Sequence, residues 1–227
     1  MQLVRMAASM VAACVNNNNQ SHGMLAGIDE AGRGALAGPL LVACVGGLPT
    51  GAEWIDELRD SKRLSPAKRE RLFTHIQRDC DWVDTERVEA EEVDRVNILQ
   101  ATLGGMAALL DRVRDAKDVA RVVVDGDVLP ETATGDTRIV ALVKADDAVR
   151  EAMAASIVAK VTRDRIMALH GDQRFSFARH KGYGTKAHYA ELREHGPTTF
   201  HRKSFNLRSS GKLPFIISET ATLSSVQ

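Results

Sequence analysis

The sequence is poor in aromatic residues and cysteines, and its charges cancel. Only 4% of its 227 residues are Phe, Trp or Tyr, which argues against a broad base-stacking surface. The 30 Lys and Arg residues balance 30 Asp and Glu residues, which excludes a uniformly basic protein that binds nucleic acid through bulk charge. Three cysteines without a CxxC pair indicate neither a disulfide framework nor a zinc knuckle. We therefore expect a cytoplasmic protein in a reducing compartment.

Long apolar runs are also missing. No stretch approaches the ~20 apolar residues that span a bilayer, so we expect no membrane association. The apolar run 6–15 is short and follows a single positive charge, which disfavours a signal peptide. Residues 1–23 are predicted to be a disordered extension. Because residues 11–14 resemble a lipoprotein cleavage site, a surface lipoprotein modified at Cys14 is an alternative.

The zero net charge hides an asymmetry along the chain. Residues 1–159 hold 18 Lys and Arg against 25 Asp and Glu, a net charge of −7. Residues 160–212 hold 12 against 4, a net charge of +8. Such segregation is typical of proteins that contact nucleic acid or acidic surfaces. From charge alone, a solvated pair of basic helices is the simpler interpretation.

Apolar runs alternate with amphipathic stretches, which predicts an α/β fold with a central sheet. Strands are predicted at residues 25–29, 40–45, 82–88, 122–124 and 139–143. Helices are predicted at residues 66–79, 93–113, 148–169 and 186–195. Ser65 as N-cap and Pro66 at the first position mark the start of the first helix. Because the first two strands can pair as a hairpin, the sheet is predicted to be mixed.

Carboxylates stand at the ends of three predicted strands. Asp29 and Glu30 end the first strand, Asp125 ends the fourth, and Asp146 and Asp147 follow the fifth. Strand ends in an open α/β sheet line the ligand crevice, so we expect these acids to converge. Converging carboxylates repel one another, and hard cations such as Mg²⁺ or Mn²⁺ relieve that repulsion. Two such ions about 3.5–4 Å apart suit phosphodiester hydrolysis.

Each acid taken alone has a simpler interpretation. An Asp at a strand end is commonly a turn residue or a helix N-cap. Asp147 is predicted to cap the helix 148–169, and Asp127 is predicted to be a turn residue after Gly126. The coincidence at three strand ends favours a metal site without excluding these local roles.

A glycine-rich segment surrounds the first pair of acids. Residues 27–34 read Gly-Ile-Asp-Glu-Ala-Gly-Arg-Gly, which is neither GxGxxG nor a phosphate-binding loop of the Gly-Lys-Ser type. Gly32 and Gly34 permit close backbone approach to a ligand, and Arg33 offers a fork suited to phosphate. The alternative is a tight connection between two strands.

Extended to Pro39, this segment resembles the signature of the type 2 ribonucleases H (ribonuclease HII). Further blocks match that family in the same order, and the resemblance covers residues 24–207. These blocks are Asp-Ser-Lys-Arg-Leu-Ser at 60–65, Asn-Ile-Leu-Gln-Ala-Thr at 97–102, the long helix at 154–164, and the C-terminal pair 180–185 and 195–205.

The resemblance implies a ribonuclease H-like fold. The catalytic domain would cover residues 24–207, with a small helical C-terminal part from about residue 170, and residues 208–227 would form a tail. Its four catalytic, metal-binding carboxylates would be Asp29, Glu30, Asp125 and Asp146. The spacing to Ser156 favours Asp146 over Asp147. Ala145 departs from the Gly that the family usually has at this position.

The resemblance also assigns substrate contacts. Gly32, Arg33 and Gly34 would sense the ribose 2′-hydroxyl, which distinguishes RNA from DNA. Tyr183 would stack on the sugar beyond the ribonucleotide at an RNA–DNA junction, and Lys62 would contact a phosphate. The alternatives are an ordinary surface tyrosine and a solvated lysine. Gly184 replaces the usual Pro after the tyrosine, so a looser loop is expected there.

Four histidines of the C-terminal part are assigned no catalytic role. The spacing of His180, His188, His195 and His201 matches no zinc site, and water activated by metal needs no histidine base. The implied enzyme is a monomeric endoribonuclease that uses Mn²⁺ or Mg²⁺. It would hydrolyse the RNA strand of RNA/DNA hybrids and cut on the 5′ side of a ribonucleotide embedded in duplex DNA, leaving 3′-hydroxyl and 5′-phosphate ends.

Two alternatives to this enzyme remain at the level of the sequence. One is another enzyme of the same fold, either an exonuclease or a polynucleotidyl transferase, since carboxylate clusters recur across the fold. The other is a hybrid-binding protein without catalysis.

Overall fold

A five-stranded mixed sheet forms the centre of the computed structural model, which describes residues 23–116 and 118–208. The strands are β1 Met24–Ala31, β2 Leu40–Gly46, β3 Trp82–Val88, β4 Val119–Asp125 and β5 Ile139–Leu142, in the spatial order β3-β2-β1-β4-β5. β2 is antiparallel to both β1 and β3, whereas β1, β4 and β5 are parallel to one another. The predicted mixed sheet is confirmed.

Seven α-helices surround this sheet in the described ranges. They are α1 Pro66–Asp79, α2 Ala90–Val96, α3 Ile98–Ala116, α4 Ala145–Ala148, α5 Arg150–Leu169, α6 Phe177–His180 and α7 Lys186–His195. The predictions of α1 and α7 are confirmed to the residue. In α1 the Ser65 hydroxyl accepts a hydrogen bond from Lys68 N at 3.3 Å, as its sequence predicts.

Helices cover both faces of the sheet. Side chains of a strand alternate between the two faces, so each strand contributes to a core on either side. Val42 and Cys44 of β2 pack into the core on the side of α3. Ala43 and Val45 pack into the core on the side of α1 and α5. The helix α5 lies directly on β1, where a Cβ on Gly27 would come within 2.2 Å of Ala152 N. Glycine at position 27 therefore lets the long helix approach the strand that carries the first acids.

The predicted single helix 93–113 is wrong. The structure has two helices, α2 and α3, separated at Asn97, which adopts a left-handed backbone with φ of 71°. The Asn97 carboxamide oxygen accepts hydrogen bonds from Leu99 N at 3.0 Å and Gln100 N at 3.1 Å. A side chain that caps a helix start and tolerates positive φ ends one helix and begins the next.

The predicted start of the long helix is also wrong. Asp147 lies inside the short helix α4 and does not cap α5. The residue that precedes α5 is Val149, whose extended backbone separates the two helices and whose side chain makes no capping bond. α4 itself follows Lys144, which has a left-handed φ of 62°. This tight turn brings the acids after β5 back toward the sheet.

The C-terminal part forms its own small core of α6, α7 and the segment after them. Leu36, Phe177 and Leu192 are buried in this core. Among the described residues, no helix is both long and apolar enough to cross a membrane. The predicted N-terminal extension up to residue 22, Cys14 within it, and the tail from residue 209 lie outside the described residues.

Candidate active site

Three of the predicted carboxylates meet at the carboxyl ends of β1 and β4. The parallel register pairs Ile28 with Val124, so Asp29 and Asp125 are the next residues along the two strands. Asp146 reaches them from α4. Each of these three aspartates offers an oxygen within 4.8 Å of the others, and they form the one such group in the described part of the chain.

The structure places Asp146 and Asp147 in different environments. Asp146 is buried within the cluster, whereas Asp147 pairs with Arg63 at 3.1 Å outside it. The Ala145 N–H donates a hydrogen bond to Asp125 Oδ1 at 2.6 Å, which holds α4 against the end of β4. Ala145 has no positive φ and its methyl group is buried, so this departure from the family pattern fits the turn.

Glu30 lies beside the cluster and is not one of the three. Its Oε1 is 3.5 Å from Arg33 Nη1, an exposed guanidinium. Its Oε2 is buried and has no hydrogen-bond partner among the described residues. An unpartnered buried carboxylate oxygen is costly, and a bound cation would satisfy it.

The cluster resists ionisation. Burial raises the pKa of Asp29 well above its usual value, and the charges of Glu30 and Asp125 add to this effect. Burial and then the charge of Asp125 raise the pKa of Asp146 to about 6. Burial likewise raises the pKa values of Glu30 and Asp125. The carboxylate oxygens of these acids are the ligands that a hard divalent cation such as Mn²⁺ or Mg²⁺ prefers, and the charge of such a cation would offset their repulsion.

Lys62 lies at the rim of the cluster. Its Nζ is 3.8 Å from Asp146 Oδ2 and 4.0 Å from Asp60 Oδ1, yet its side chain is 78% exposed. Desolvation works against the ammonium form, but the carboxylates of Asp60 and Asp146 outweigh it and raise the pKa of Lys62. The lysine is therefore a protonated cation that an incoming phosphate can reach.

The glycine-rich loop and Tyr183 both pack against one buried arginine. Gly32 has φ of 99°, and a Cβ on it would come within 2.1 Å of Arg163 Nε. The Tyr183 ring packs on the same arginine, with its centroid 5.2 Å from the guanidinium carbon. Gly34 is exposed, and a Cβ there would meet no atom of residues 23–116 or 118–208 within 4 Å. Of the predicted sugar-contacting residues, Gly32 and Tyr183 are thus brought together at Arg163.

Two buried arginines, which the sequence did not single out, hold this arrangement. Arg163 of α5 donates to the carbonyls of Ala37, Pro39 and Lys181 at 2.9–3.0 Å. The signal in the sequence is an arginine inside an apolar, alanine-rich helix, since a buried guanidinium needs acceptors.

Arg202 is the second of these arginines. It donates to the carbonyls of Gly32 at 2.8 Å and Arg33 at 3.0 Å, and to the Gly38 carbonyl. The two arginines tie the C-terminal part to the loop after β1.

Two serines support Asp29 and were also not predicted as site residues. Ser156 of α5 hydrogen-bonds to the Asp29 carboxylate, which opposes the effect of burial on its pKa. The Ser61 and Ser156 hydroxyl oxygens lie 2.9 Å apart. Ser61 precedes Lys62, so the element at the rim is linked to Asp29 through Ser156.

Gly184 is closely packed although it replaces a proline of the family pattern. A Cβ there would lie 3.1 Å from the Tyr189 ring and 3.3 Å from Leu36. The Thr185 N–H donates to the Tyr183 carbonyl at 2.7 Å. Packing and this hydrogen bond restrain the loop that the sequence alone predicts to be looser.

The mixed sheet carries acids at the adjoining ends of its central parallel strands, and cations and an open backbone loop lie beside these acids. This arrangement is that of metal-dependent nucleases with the ribonuclease H-like fold.

Comparisons with known proteins identify the family. The sequence model of the family described as ribonuclease HII matches residues 26–208, so the chain belongs to the ribonuclease HII family. A ribonuclease HII of Xylella fastidiosa (strain M12) is 45% identical over 189 residues, which cover 82% of this chain and 79% of that protein.

Solved structures agree with this assignment. The complex of PCNA with ribonuclease HII from Archaeoglobus fulgidus matches with a TM-score of 0.65 and 30% identity, over 83% of this chain and 98% of that chain. The ribonuclease H2 of Pyrococcus horikoshii OT3 matches with a TM-score of 0.61 and 26% identity, over 81% and 94%.

The predicted fold class, enzyme class and cofactor are confirmed. The chain is a metal-dependent endoribonuclease, and Mn²⁺ or Mg²⁺ is the cofactor that its acidic site fits. Ribonucleases of this family act on RNA/DNA hybrids, and the alternative of a binding protein without catalysis is not favoured.

Proposed function

We propose that this endoribonuclease also incises duplex DNA on the 5′ side of a single embedded ribonucleotide, leaving 3′-hydroxyl and 5′-phosphate ends. One observation carries the proposal. Gly32 begins the loop directly after β1, three residues beyond Asp29, and packs on the same guanidinium as Tyr183. The place where a ribose would be sensed and the carboxylates that would direct hydrolysis are therefore in fixed relation.

The carboxylates would have two kinds of role at the scissile phosphate. Asp29, Asp125 and Asp146 would hold divalent cations, because they are the acids whose oxygens converge. Glu30, whose buried Oε2 has no hydrogen-bond partner in the described part of the chain, would complete the ligand set or move a proton. When bound, the cations supply activation of the attacking water and stabilisation of the leaving 3′-oxygen.

The remaining predicted residues would position the substrate. Gly34 leaves space in front of the loop, so a sugar can approach the backbone of residues 32–34 closely. The 2′-hydroxyl is the group that such a contact can test, since it alone separates RNA from DNA at one nucleotide. Lys62 at the rim would bind a phosphate, and Tyr183 would pack on the neighbouring sugar.

The test uses a DNA duplex that contains one ribonucleotide, incubated with Mn²⁺ or Mg²⁺. We expect incision on the 5′ side of the ribonucleotide, and we expect Asp29→Asn to slow it by roughly 100-fold or more because a cation ligand is weakened. Asp147→Asn is the matched control and should cut like the wild type, since Asp147 pairs with Arg63 outside the cluster. The proposal would be contradicted if the wild type did not incise the duplex, or if Asp29→Asn incised it as fast as the wild type.

We also infer that one copy of the chain in the cytoplasm is sufficient for this activity. All three converging aspartates, both arginine contacts to the loop and Tyr183 come from the same chain. The mass of the active species in solution tests this inference, and activity restricted to a dimer would contradict it.

A further inference from the structure

Three buried histidines form a network of one hydrogen bond and one stacked ring pair behind Tyr183. His188 is 0% exposed, His201 1% and His180 7%. The His180 and His188 rings stack with centroids 4.2 Å apart, and the His188 and His201 Nε2 atoms lie 3.0 Å apart. None of these rings belongs to a candidate metal group in the part of the chain that the structure describes.

The partners of the network fix which nitrogen carries each proton. His201 Nδ1 accepts a hydrogen bond from Thr198 N at 3.0 Å, so its proton is on Nε2 and is donated to His188 Nε2. His188 therefore carries its own proton on Nδ1, which lies 3.1 Å from the Tyr183 carbonyl oxygen and donates to it. A carbonyl oxygen only accepts, so the assignment is consistent along the chain of bonds.

The hydrogen-bond partners of His180 fix the position of its proton in the same way. Its Nδ1 accepts a hydrogen bond from Gly182 N at 3.1 Å, so its Nε2 donates to Glu191 Oε2 at 2.8 Å. Three neutral rings thus satisfy every ring nitrogen. Burial lowers the pKa of His188, and burial lowers that of His201 to about 4, which agrees with neutral His188 and His201 rings near pH 7.

The opposite side of the same loop is held by the segment after the glycine-rich loop. The Leu36 N–H donates to the Gly182 carbonyl at 2.8 Å. Gly182 has φ of 79°, and a Cβ on it would lie 2.4 Å from the Ala37 carbonyl oxygen. Residues 182–183 are therefore clamped between the histidine network and residues 36–37.

We propose that His188 is a positioning residue for substrate recognition, supported by His201, because its hydrogen bond to the Tyr183 carbonyl fixes that tyrosine beside residues 32–34. The proposal rests on the proposed function, in which Tyr183 contacts the sugar next to the ribonucleotide. His188 acts through Tyr183 and touches no substrate itself, since its ring is fully buried.

The kinetic test is a double-mutant cycle on the duplex with one ribonucleotide. We expect His188→Phe to reduce kcat/KM roughly 5- to 10-fold, mainly through KM, because a tyrosine contact to a nucleotide is weakened. In the Tyr183→Ala background the same change should cost less than about 2-fold, since residues that act through one contact are not additive.

Two further variants separate positioning from general destabilisation. His195→Phe places the same ring on the same helix at a partly exposed position outside the network, and it should leave KM unchanged. His188→Asn, whose amide nitrogen can occupy the place of Nδ1, should recover most of the lost activity. His188→Gln keeps a polar group near His201 and lacks that donor, so it should remain impaired even if His188→Phe does not fold.

Amide hydrogen exchange at residues 182–185 tests the positioning without any need for activity. Exchange there should be faster in His188→Gln than in the wild type and unchanged in His195→Phe. Unchanged exchange in His188→Gln, or an equal loss of kcat/KM with and without Tyr183, would overturn the proposal. Wild-type protein that does not incise the duplex would overturn the proposed function instead, while the exchange result would still decide the role of His188.

Discussion

Asp146 shows how a single residue of the acidic cluster opposes folding when no metal is bound. Its folded pKa of about 6 exceeds its ordinary value of 3.8 because burial, Asp125 and Asp60 disfavour its charge. The folded state therefore binds a proton more tightly than the unfolded state. The resulting loss of stability is absent below about pH 4 and complete above about pH 6.

We expect Asp146→Asn to stabilise the metal-free protein. At about pH 7.5 the free energy of unfolding should rise by on the order of 2 kcal/mol, because the buried charge is removed. Urea unfolding in the presence of a chelator measures this change.

Asp147→Asn provides the control, with a change within about 0.5 kcal/mol. Saturating Mn²⁺ should reverse the order of the wild type and Asp146→Asn, since the wild type binds the ion more tightly. An Asp146→Asn protein that is less stable than the wild type without metal would contradict the conclusion that the charge of Asp146 opposes folding.

Some residues of the site could be predicted because their chemistry is local. Asp29, Glu30 and Asp125 stand at the ends of apolar runs, and the glycines around the first pair form a recognisable segment. The roles of Arg163 and Arg202 could not be predicted in this way. Most of their acceptors are carbonyls of residues 32–39, more than a hundred positions away in sequence, and any residue type presents a carbonyl.

At the scale of secondary-structure elements, local sequence signals predicted where helices start better than where they are interrupted. Ser65 and Pro66 mark the start of α1 correctly, because capping depends on neighbouring residues. The break between α4 and α5 lacks such a signal. Val149 becomes extended there because α4 is held to Asp125 and α5 is packed on β1, and both are tertiary constraints.

The C-terminal part carries a pH dependence of its own. Burial, followed by the neighbouring His188, lowers the pKa of His201 to about 4, although the charge of Asp172 acts in the opposite sense. The charges of His180 and His170 add to the lowering. A neutral buried histidine gives a stability that is complete above about pH 6.5 and is lost as the pH falls toward about 4.

We expect acidification to weaken this part selectively. Between about pH 7.5 and pH 5, His201 should cost the wild type about 2 kcal/mol that His201→Gln does not lose. Urea unfolding of both proteins at the two pH values measures the difference. Because the raised pKa values of the acidic cluster act in the opposite sense in both proteins, only the difference between them is diagnostic. Equal pH dependence in the two proteins would contradict a neutral, buried His201.

For the whole molecule, zero net charge is the sum of an acidic body and a basic C-terminal segment. Part of the acidic excess is the carboxylate cluster, which divalent cations would offset. Lys62 and Arg33 show that exposed cations near the cluster also come from the acidic body. Net charge along the chain therefore showed the segregation of charge but did not identify which exposed cations lie near the cluster.

The salt dependence of nucleic-acid binding should reveal the contribution of each exposed cation separately. In the Asp29→Asn protein without metal, Lys62→Ala should weaken binding to an RNA/DNA hybrid and reduce the slope of log K against log salt by about 1. Arg112→Ala is the control, since Arg112 already pairs with Asp84 and Glu86 at the β3 edge of the sheet. An unchanged slope for Lys62→Ala would mean that Lys62 contacts no phosphate.

The two buried arginines have a consequence for how the protein tolerates mutation. Arg163 and Arg202 bind main-chain carbonyls of residues 32–39, so the side chains of that segment do not supply the acceptors. Replacements within the segment are limited by the space around each side chain and by the positive φ of Gly32 and Gly38. Lysine cannot reproduce the forked donors of either arginine. Outside the proposed substrate-contacting residues 32–34, genetic drift can therefore alter the segment within steric limits, whereas the two distant positions that hold it have little freedom to change.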